Sequence, residues 1–471
     1  MNDSGVADAL AGARPVPFWL DRQDALPPEP ALGGKVSADL AVIGGGFTGL
    51  WTALQAKESD PDREVVLLEA RQVAWAATGR NGGFCSASLT HGIGNGMDRF
   101  PGEMATLERL GRQNLDEIEA AVASYGIDCD FTRSGEMTVA TSSWQLADLR
   151  ESADASTRLG GRAVLLDAAA TRAELNSPSY LGGMWDVKGC AIVDPLLLAR
   201  GLRRACLEAG VRIFEESPVR AIVAEPGPAG AALELRTAGG TVQARRVALG
   251  TGAFSPLLRR MRYYVIPVYD YALITEPLSA AQLDSIGWRR RQGTSDASNE
   301  FHYYRLTSDN RILWGGYDAV YYYGSKITAA QDQRPVTFAM LGRHFFETFP
   351  QLEGISFTHS WGGVIDTCSR FCAFFGTAMG GRLAYAAGYT GLGVGASRFG
   401  GRVLLDLLDG QPTELTELEM VRSRPLPFPP EPVRSAGIQL TRWSMAQADR
   451  HHGRRNLWLR TMDRIGLGYD S

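Results

Sequence analysis

Apolar residues run without a break from Leu40 to Ile43 and again from Val65 to Leu68, the pattern of short strands buried on both faces. Gly44, Gly45 and Gly46 end the first run. From Thr48 onward Leu50, Ala53 and Leu54 recur at helical spacing. The unit reads strand, glycine turn, helix, strand, all within about 30 residues.

Further along, Met104, Leu107, Leu110, Leu115 and Ile118 predict a helix over 102–124. The turn-rich stretch 126–140 reads as two strands. A helix is expected over 194–210, with Asp194 as its N-cap, Pro195 in the first turn and Gly210 at its end. Successive strands follow to about residue 252. Residues 262–320 are rich in Tyr and β-branched side chains and predict an antiparallel sheet. Helices are expected over 330–347 and from about 395 to 408. Residues 1–36 read as an irregular arm in which Phe18 and Trp19 anchor to the body.

The order of these elements predicts an α/β protein. A Rossmann-like domain is assembled from discontinuous segments, 37–125, 190–262 and 365–415. An inserted α+β domain with a mostly antiparallel sheet takes 126–189 and 263–364. Residues 416–471 are expected to form a helical tail packed on the body, with the Arg-rich amphipathic segment 444–471 docked on the dinucleotide domain.

Composition narrows the field. The chain has 471 residues, 45% hydrophobic and 21% charged, which excludes a disordered, collagen-like or simple coiled-coil protein. A net charge of −4 gives no overall field for nucleic acid or anionic membranes. No apolar run approaches the ~18 residues of a membrane span, and no secretory signal is evident, so a cytoplasmic location is the default. The 6 Cys form no C-x-x-C pair and have no His cluster beside them, so no metal site is expected.

The glycine turn fits G-x-G-x-x-G through Gly44, Gly46 and Gly49, with Phe47 and Thr48 between. In such a turn the first glycine permits a tight bend, the second lets the backbone approach a pyrophosphate, and the third lets helix and strand pack closely. The helix N-terminus offers free N–H groups to phosphate. Glu69, which ends the next strand ahead of Ala70 and Arg71, can accept hydrogen bonds from a ribose diol. An acid there favours FAD or NAD over NADP. The small, polar run 77–83, which includes Thr78, Arg80, Asn81, Gly82 and Gly83, lies where a second loop would meet the pyrophosphate and flavin ring. A second glycine-rich turn at Gly388, Gly391, Gly393 and Gly395 precedes a helix, an arrangement suited to stabilising negative charge on a reduced flavin.

With ADLAVIGGGFTGL, VVLLEA and ATGRNGG in this order, the sequence resembles the D-amino-acid oxidase-like family of FAD enzymes, closest to its γ-glutamylputrescine oxidase-like branch. DPLLLARGLRRACLEAGVRIFEESPV, RRVALGTGAFS and AGYTGLGVGAS extend the resemblance over nearly the whole chain. It implies non-covalent FAD, with Val219, Gly252, Gly388, Thr390, Gly391, Leu392, Gly393 and Val394 among its contacts. It also implies oxidation of a C–N bond in a small amine or amino acid to an imine, which hydrolyses to an aldehyde or keto acid. The electron acceptor is oxygen or another oxidant. The alternatives are a flavin reductase or monooxygenase reduced by NAD(P)H, for which no second dinucleotide turn is found, and a non-catalytic flavin-bearing subunit.

Departures from the family matter. Leu392 stands where many relatives have His. Gly395 stands where sarcosine oxidases carry a carboxylate-binding Lys, and Trp314 where they carry an oxygen-activating Lys. Cys368 is displaced from the flavin-linking position. His302, Tyr303, Tyr304 and Arg305 are candidates for substrate contact or catalysis. Arg305 is read either as a carboxylate clamp or as a structural ion pair, and His302 either as a base or as a structural residue. His91 is a further candidate, and Tyr269, Tyr271 and Tyr321–Tyr323 are candidates for an aromatic amine pocket.

Overall fold

The computed structural model describes residues 3–24, 26–224, 232–254, 256–464 and 466–467. Among them are two large sheets of eight strands each and one two-stranded pair. The first sheet has a parallel centre. Its strands run Leu383–Ala387, Gly240–Leu249, Gly34–Ile43, Val65–Leu68 and Arg212–Phe214 in spatial order. Val42 faces Ala248 on one side and Leu67 on the other, so the apolar run of each strand is covered by its neighbours. Helices Phe47–Ser59, Pro195–Glu208 and Gly393–Asp409 pack together over this sheet. Leu50, Leu54, Leu198, Leu202 and Val403 fill the layer between them with no measurable exposure.

The second sheet runs Phe357–Thr367, Ile266–Thr275, Ile312–Gly316, His302–Leu306, Gly293–Asp296, Glu136–Ala140, Gly182–Asp186 and Ala163–Asp167. Its pairings are antiparallel except between Gly293–Asp296 and Glu136–Ala140. Helix Pro335–Thr348 covers one face with Leu341, Phe345 and Phe346. The fold is the expected α/β class, a Rossmann-like parallel sheet beside a mostly antiparallel one.

Four local expectations differ. The arm contains a helix, Asp3–Leu10, which is amphipathic enough to bury Val6 and Ala9 against helix Pro335–Thr348. Residues 126–140 hold one strand, because Thr132 makes only an isolated bridge to Ile192. The stretch 330–347 splits into a short turn, Ala329–Asp332, and a helix that restarts with Pro335 in its first turn. The tail divides: short helix Glu419–Arg422 packs on strand Phe374–Ala378 of the first sheet, whereas helix Val433–Arg450 does not. Arg442 pairs with Asp318, and Asp449 accepts from Asn299 and Glu300, so it lies on loops of the second sheet.

Candidate functional site

A continuous cavity of about 3190 Å³ lies between the two sheets. That is several times the roughly 300–1,000 Å³ of a pocket for one small ligand, enough for a dinucleotide and a substrate together. Two helix N-termini open into it. Helix Phe47–Ser59 starts after Gly46 and helix Gly393–Asp409 after Leu392, and neither has a side-chain cap. Uncapped first-turn amides carry the positive end of the helix dipole and form an anion site.

The first wall is built from backbone. Gly44 has φ +112°, and a Cβ there would lie 2.5 Å from the Gly250 carbonyl oxygen. A Cβ on Gly49 would lie 1.8 Å from the Gly44 oxygen, so that glycine serves helix–strand contact and does not face the cavity. Gly46, Phe47 and Thr48 do line the cavity. The Phe47 N–H donates to Thr78 Oγ1 at 3.2 Å, tying the turn to the second loop. Glu69 Oε2 accepts from Gly45 N–H at 2.6 Å and Oε1 from Arg71 N–H at 2.9 Å, which fixes the carboxylate at the cavity edge. Burial raises its pKa. Ala70, Arg71, Val219 and Gly252 also line the cavity.

The loop 77–83 is clamped from outside. The Trp19 indole donates to Asn81 O at 2.8 Å and the Trp361 indole to Arg80 O at 2.9 Å. Arg80 reaches Asp332 at 2.6 Å and Gly362 O at 3.1 Å. Asn81 stitches the loop internally, donating to Ala77 O and Thr78 O and accepting from Gly83 N–H. Thr78, Arg80, Asn81 and Gly82 line the cavity, whereas Gly83 is turned toward Val193 and Arg305.

At the other end Thr390, Gly391, Leu392, Gly393 and Val394 line the cavity, and Gly388 lies behind them. Asp366, on the second sheet, accepts from Gly388 N–H at 2.7 Å, and burial pushes its carboxyl up to about 6. His91 also lines the cavity and bonds to the Thr390 backbone. A Cβ on Gly395 would lie 2.1 Å from Ser86 O, so no side chain fits there. Cys368 is fully buried against Gly388 and is not part of the cavity wall.

The second wall is built from side chains, and here three catalytic expectations are corrected. His302 and Tyr304 point to the far face of the sheet, because alternate strand residues point to opposite faces. His302 donates from Nδ1 to Gly315 O at 3.2 Å and so accepts at Nε2 from His344 Nδ1, 2.9 Å away. Burial drives its pKa down to about 3. Tyr304 stacks on Trp314, centroids 4.6 Å apart, and bonds Tyr180 at 2.6 Å. Trp314 is therefore also remote from the cavity. Arg305, 1% exposed, donates to Val193 O at 2.6 Å under the Trp19 ring and is structural.

Tyr303, between them in sequence, faces the cavity. Its hydroxyl donates to Asp270 Oδ2 at 2.6 Å, and both residues line the wall. Sequence reading passed over Asp270. The available signal was a lone acid in the otherwise apolar strand YYVIPVYDYALIT. Burial pushes its carboxyl up to about 6, opposed by the Tyr303 hydroxyl and the Tyr271 and Gly316 backbone. Burial also keeps the Tyr303 phenol protonated by raising its pKa. Tyr269, Tyr271 and Tyr321 line the cavity too. Tyr322 bonds Tyr271 from behind, and Tyr323 is exposed. No described group of His, Cys, Asp and Glu is arranged to hold a metal ion.

Comparison with known proteins agrees with this geometry. A family described as FAD dependent oxidoreductase matches residues 39–407. Gamma-glutamylputrescine oxidoreductase of Escherichia coli is 33% identical over 393 residues, 81% of this chain and 86% of the relative. "Probable oxidoreductase OrdL" of Haemophilus influenzae is 30% identical over 392 residues, covering 81% and 85%. Among solved structures, glycine oxidase from Geobacillus kaustophilus superposes with a TM-score of 0.67 at 20% identity, covering 82% of this chain and 99% of its own. No described helix is long and apolar enough to cross a membrane.

Proposed function

The chain belongs to the FAD-dependent oxidoreductase family, and from that premise we propose that it oxidises a C–N bond of an amine or amino acid. The product is an imine, which water hydrolyses to an aldehyde or keto acid. The Asp270–Tyr303 pair carries this reading. Among the described residues no cationic side chain pairs with Asp270, although burial penalises its charge. A desolvated carboxylate is stabilised by a cation brought to it, and a protonated amine supplies one.

Asp270 then has two tasks. It holds the ammonium group and it takes the proton, leaving a neutral amine ready to lose its α-hydrogen. Tyr303 donates to Asp270 and fixes the direction of its free lone pairs. Trp75 and Phe254 give the cavity aromatic surface against which a cation is favoured and water is displaced. FAD, when bound, supplies the two-electron acceptor. Glu69 would hold its ribose, the amides of Gly46 and Thr48 its phosphates, and the amides of Gly393 and Val394 the charge on its reduced ring.

The named relatives and neighbours act on γ-glutamylputrescine and glycine, both of which carry an amine. The test is the flavin absorption spectrum recorded anaerobically with polyamines, γ-glutamylputrescine, N-methyl amino acids, D-amino acids and, separately, NAD(P)H. Bleaching by one amine class is the expected result. Bleaching by NAD(P)H alone would replace this reading with a reductase.

A further inference from the structure

The family match ends at residue 407, yet the cavity is closed by chain beyond it. Helix Val433–Arg450 turns Arg434, Gly437, Ile438, Thr441, Arg442 and Met445 into the cavity, spaced three and four apart as one helical face. Its position is fixed at several points. Glu431, just before the helix, accepts from Tyr321 at 2.5 Å, Arg434 donates to Ser325 at 3.1 Å, and Asp449 accepts from Asn299 N–H at 3.0 Å and Glu300 N–H at 3.1 Å.

Two polar groups on this wall have bonding capacity to spare. Arg442 pairs with Asp318, but Asp318 also serves Arg334 and Thr337, so one carboxylate is shared between two guanidinium groups. Arg442 also donates from Nη1 to Gln439 Oε1 at 3.2 Å, while its Nε is buried with no partner. Glu300 lines the cavity, and among the described residues its carboxyl makes no hydrogen bond or ion pair. Burial pushes it up to about 7, and the charge of Arg442 pulls it back. The subsite adjoins the amine site. Gly316 N–H bonds Asp270, Asp318 follows two residues later, and Asp270 feels its charge.

We propose that the tail helix forms a recognition subsite in which Arg442 binds the carboxylate, and Glu300 the ammonium, of an amino-acid head carried by the same molecule as the reacting amine. This rests on the amine-oxidation reading above. The helix would then decide which amines are accepted, and the Asp270–Tyr303 pair would act on the amine itself.

The experiment is anaerobic flavin reduction by γ-glutamylputrescine, by N-succinylputrescine, which keeps a carboxylate without the ammonium, and by N-acetylputrescine, which has neither. Apparent dissociation constants should rise in that order. Arg442→Gln should shrink the ratio between N-acetylputrescine and γ-glutamylputrescine by about 10- to 100-fold, the worth of one charged hydrogen-bonded contact. Glu300→Gln should shrink the ratio between N-succinylputrescine and γ-glutamylputrescine and leave that between N-acetylputrescine and N-succinylputrescine unchanged. Flavin absorbance per chain checks that each variant is loaded, and if Arg442→Gln does not fold, the wild-type order and Glu300→Gln decide. Equal dissociation constants for all three amines, or a ratio untouched by loaded Arg442→Gln, overturns the subsite while leaving amine oxidation standing. Bleaching by none of the three, nor by any other amine, overturns both.

Discussion

The two walls of the cavity solve different problems with different materials. The first is made of main chain, with glycine turns, amides and two uncapped helix N-termini. The second is made of side chains, with Asp270, Tyr303, Asp366 and a group of tyrosines projecting from an antiparallel sheet. A main-chain wall can hold phosphates and a ring edge whatever the neighbouring side chains are, because its donors are fixed by the fold. A side-chain wall is specific to one chemistry and is altered by one substitution. The difference separates what is common to a flavin protein from what is particular to this one.

The largest effect is expected on the first wall. Gly49→Ala places a methyl group inside the Gly44 carbonyl, at a cost of more than about 3 kcal/mol for an overpacked site that cannot relax. The purified variant should be colourless, with a lowered melting temperature. A yellow protein of wild-type stability would break the assignment of this turn.

On the second wall, Asp270→Asn should retain flavin and lose about 100-fold or more in the rate of its reduction by amine, as for loss of a general base. Asp270 has a pKa raised in the folded state, so its contribution to stability is fully present below its unfolded value and is lost as pH rises through about 6. Replacing it should therefore not lower the melting temperature at neutral pH, which separates a rate loss from unfolding. In the wild type kcat/KM should fall as pH drops through about 6, and that limb should be missing in Asp270→Asn. Tyr303→Phe removes one neutral donor, worth about 1 kcal/mol, so a roughly 5- to 10-fold loss is expected. The acid limb should also move to higher pH, because the hydroxyl lowers the Asp270 pKa.

The smallest effect on rate is expected at His302→Gln, which lies on the far face. Flavin reduction should be unchanged. Stability should respond instead. The folded-state pKa is depressed, so wild-type stability should fall as pH drops below the unfolded value near 6.5 and level off near 3. The variant should lack that slope in a pH series of denaturant melts.

The parallel strands, the glycine turn and Glu69 were legible in the sequence because each is a local pattern. Short apolar runs report burial on both faces, and a G-x-G-x-x-G between strand and helix has few other uses. The second wall was not legible in the same way. In HYYRL, alternation guarantees that neighbours point to opposite sides, but nothing local says which side meets the cavity. The sequence offers His302, Tyr303, Tyr304 and Arg305 alike, and the sheet turns Tyr303 to the cavity and His302 away from it. The tail shows the same limit. Its helical period was readable, but the surface it covers was set by Asp318, Asn299 and Glu300, more than a hundred residues away.

The sequence by itself thus determined an α/β dinucleotide-binding protein, since glycine spacing and apolar runs restrict the main chain directly, and its resemblance to a flavoenzyme family pointed to FAD. Only the tertiary structure decided that Asp270 meets Tyr303, that Arg305 is buried under Trp19, and that the tail helix closes the cavity. Those outcomes depend on sheet register, strand facing and contacts between distant segments. They are fixed by how the whole core packs, and no single stretch of the chain carries them.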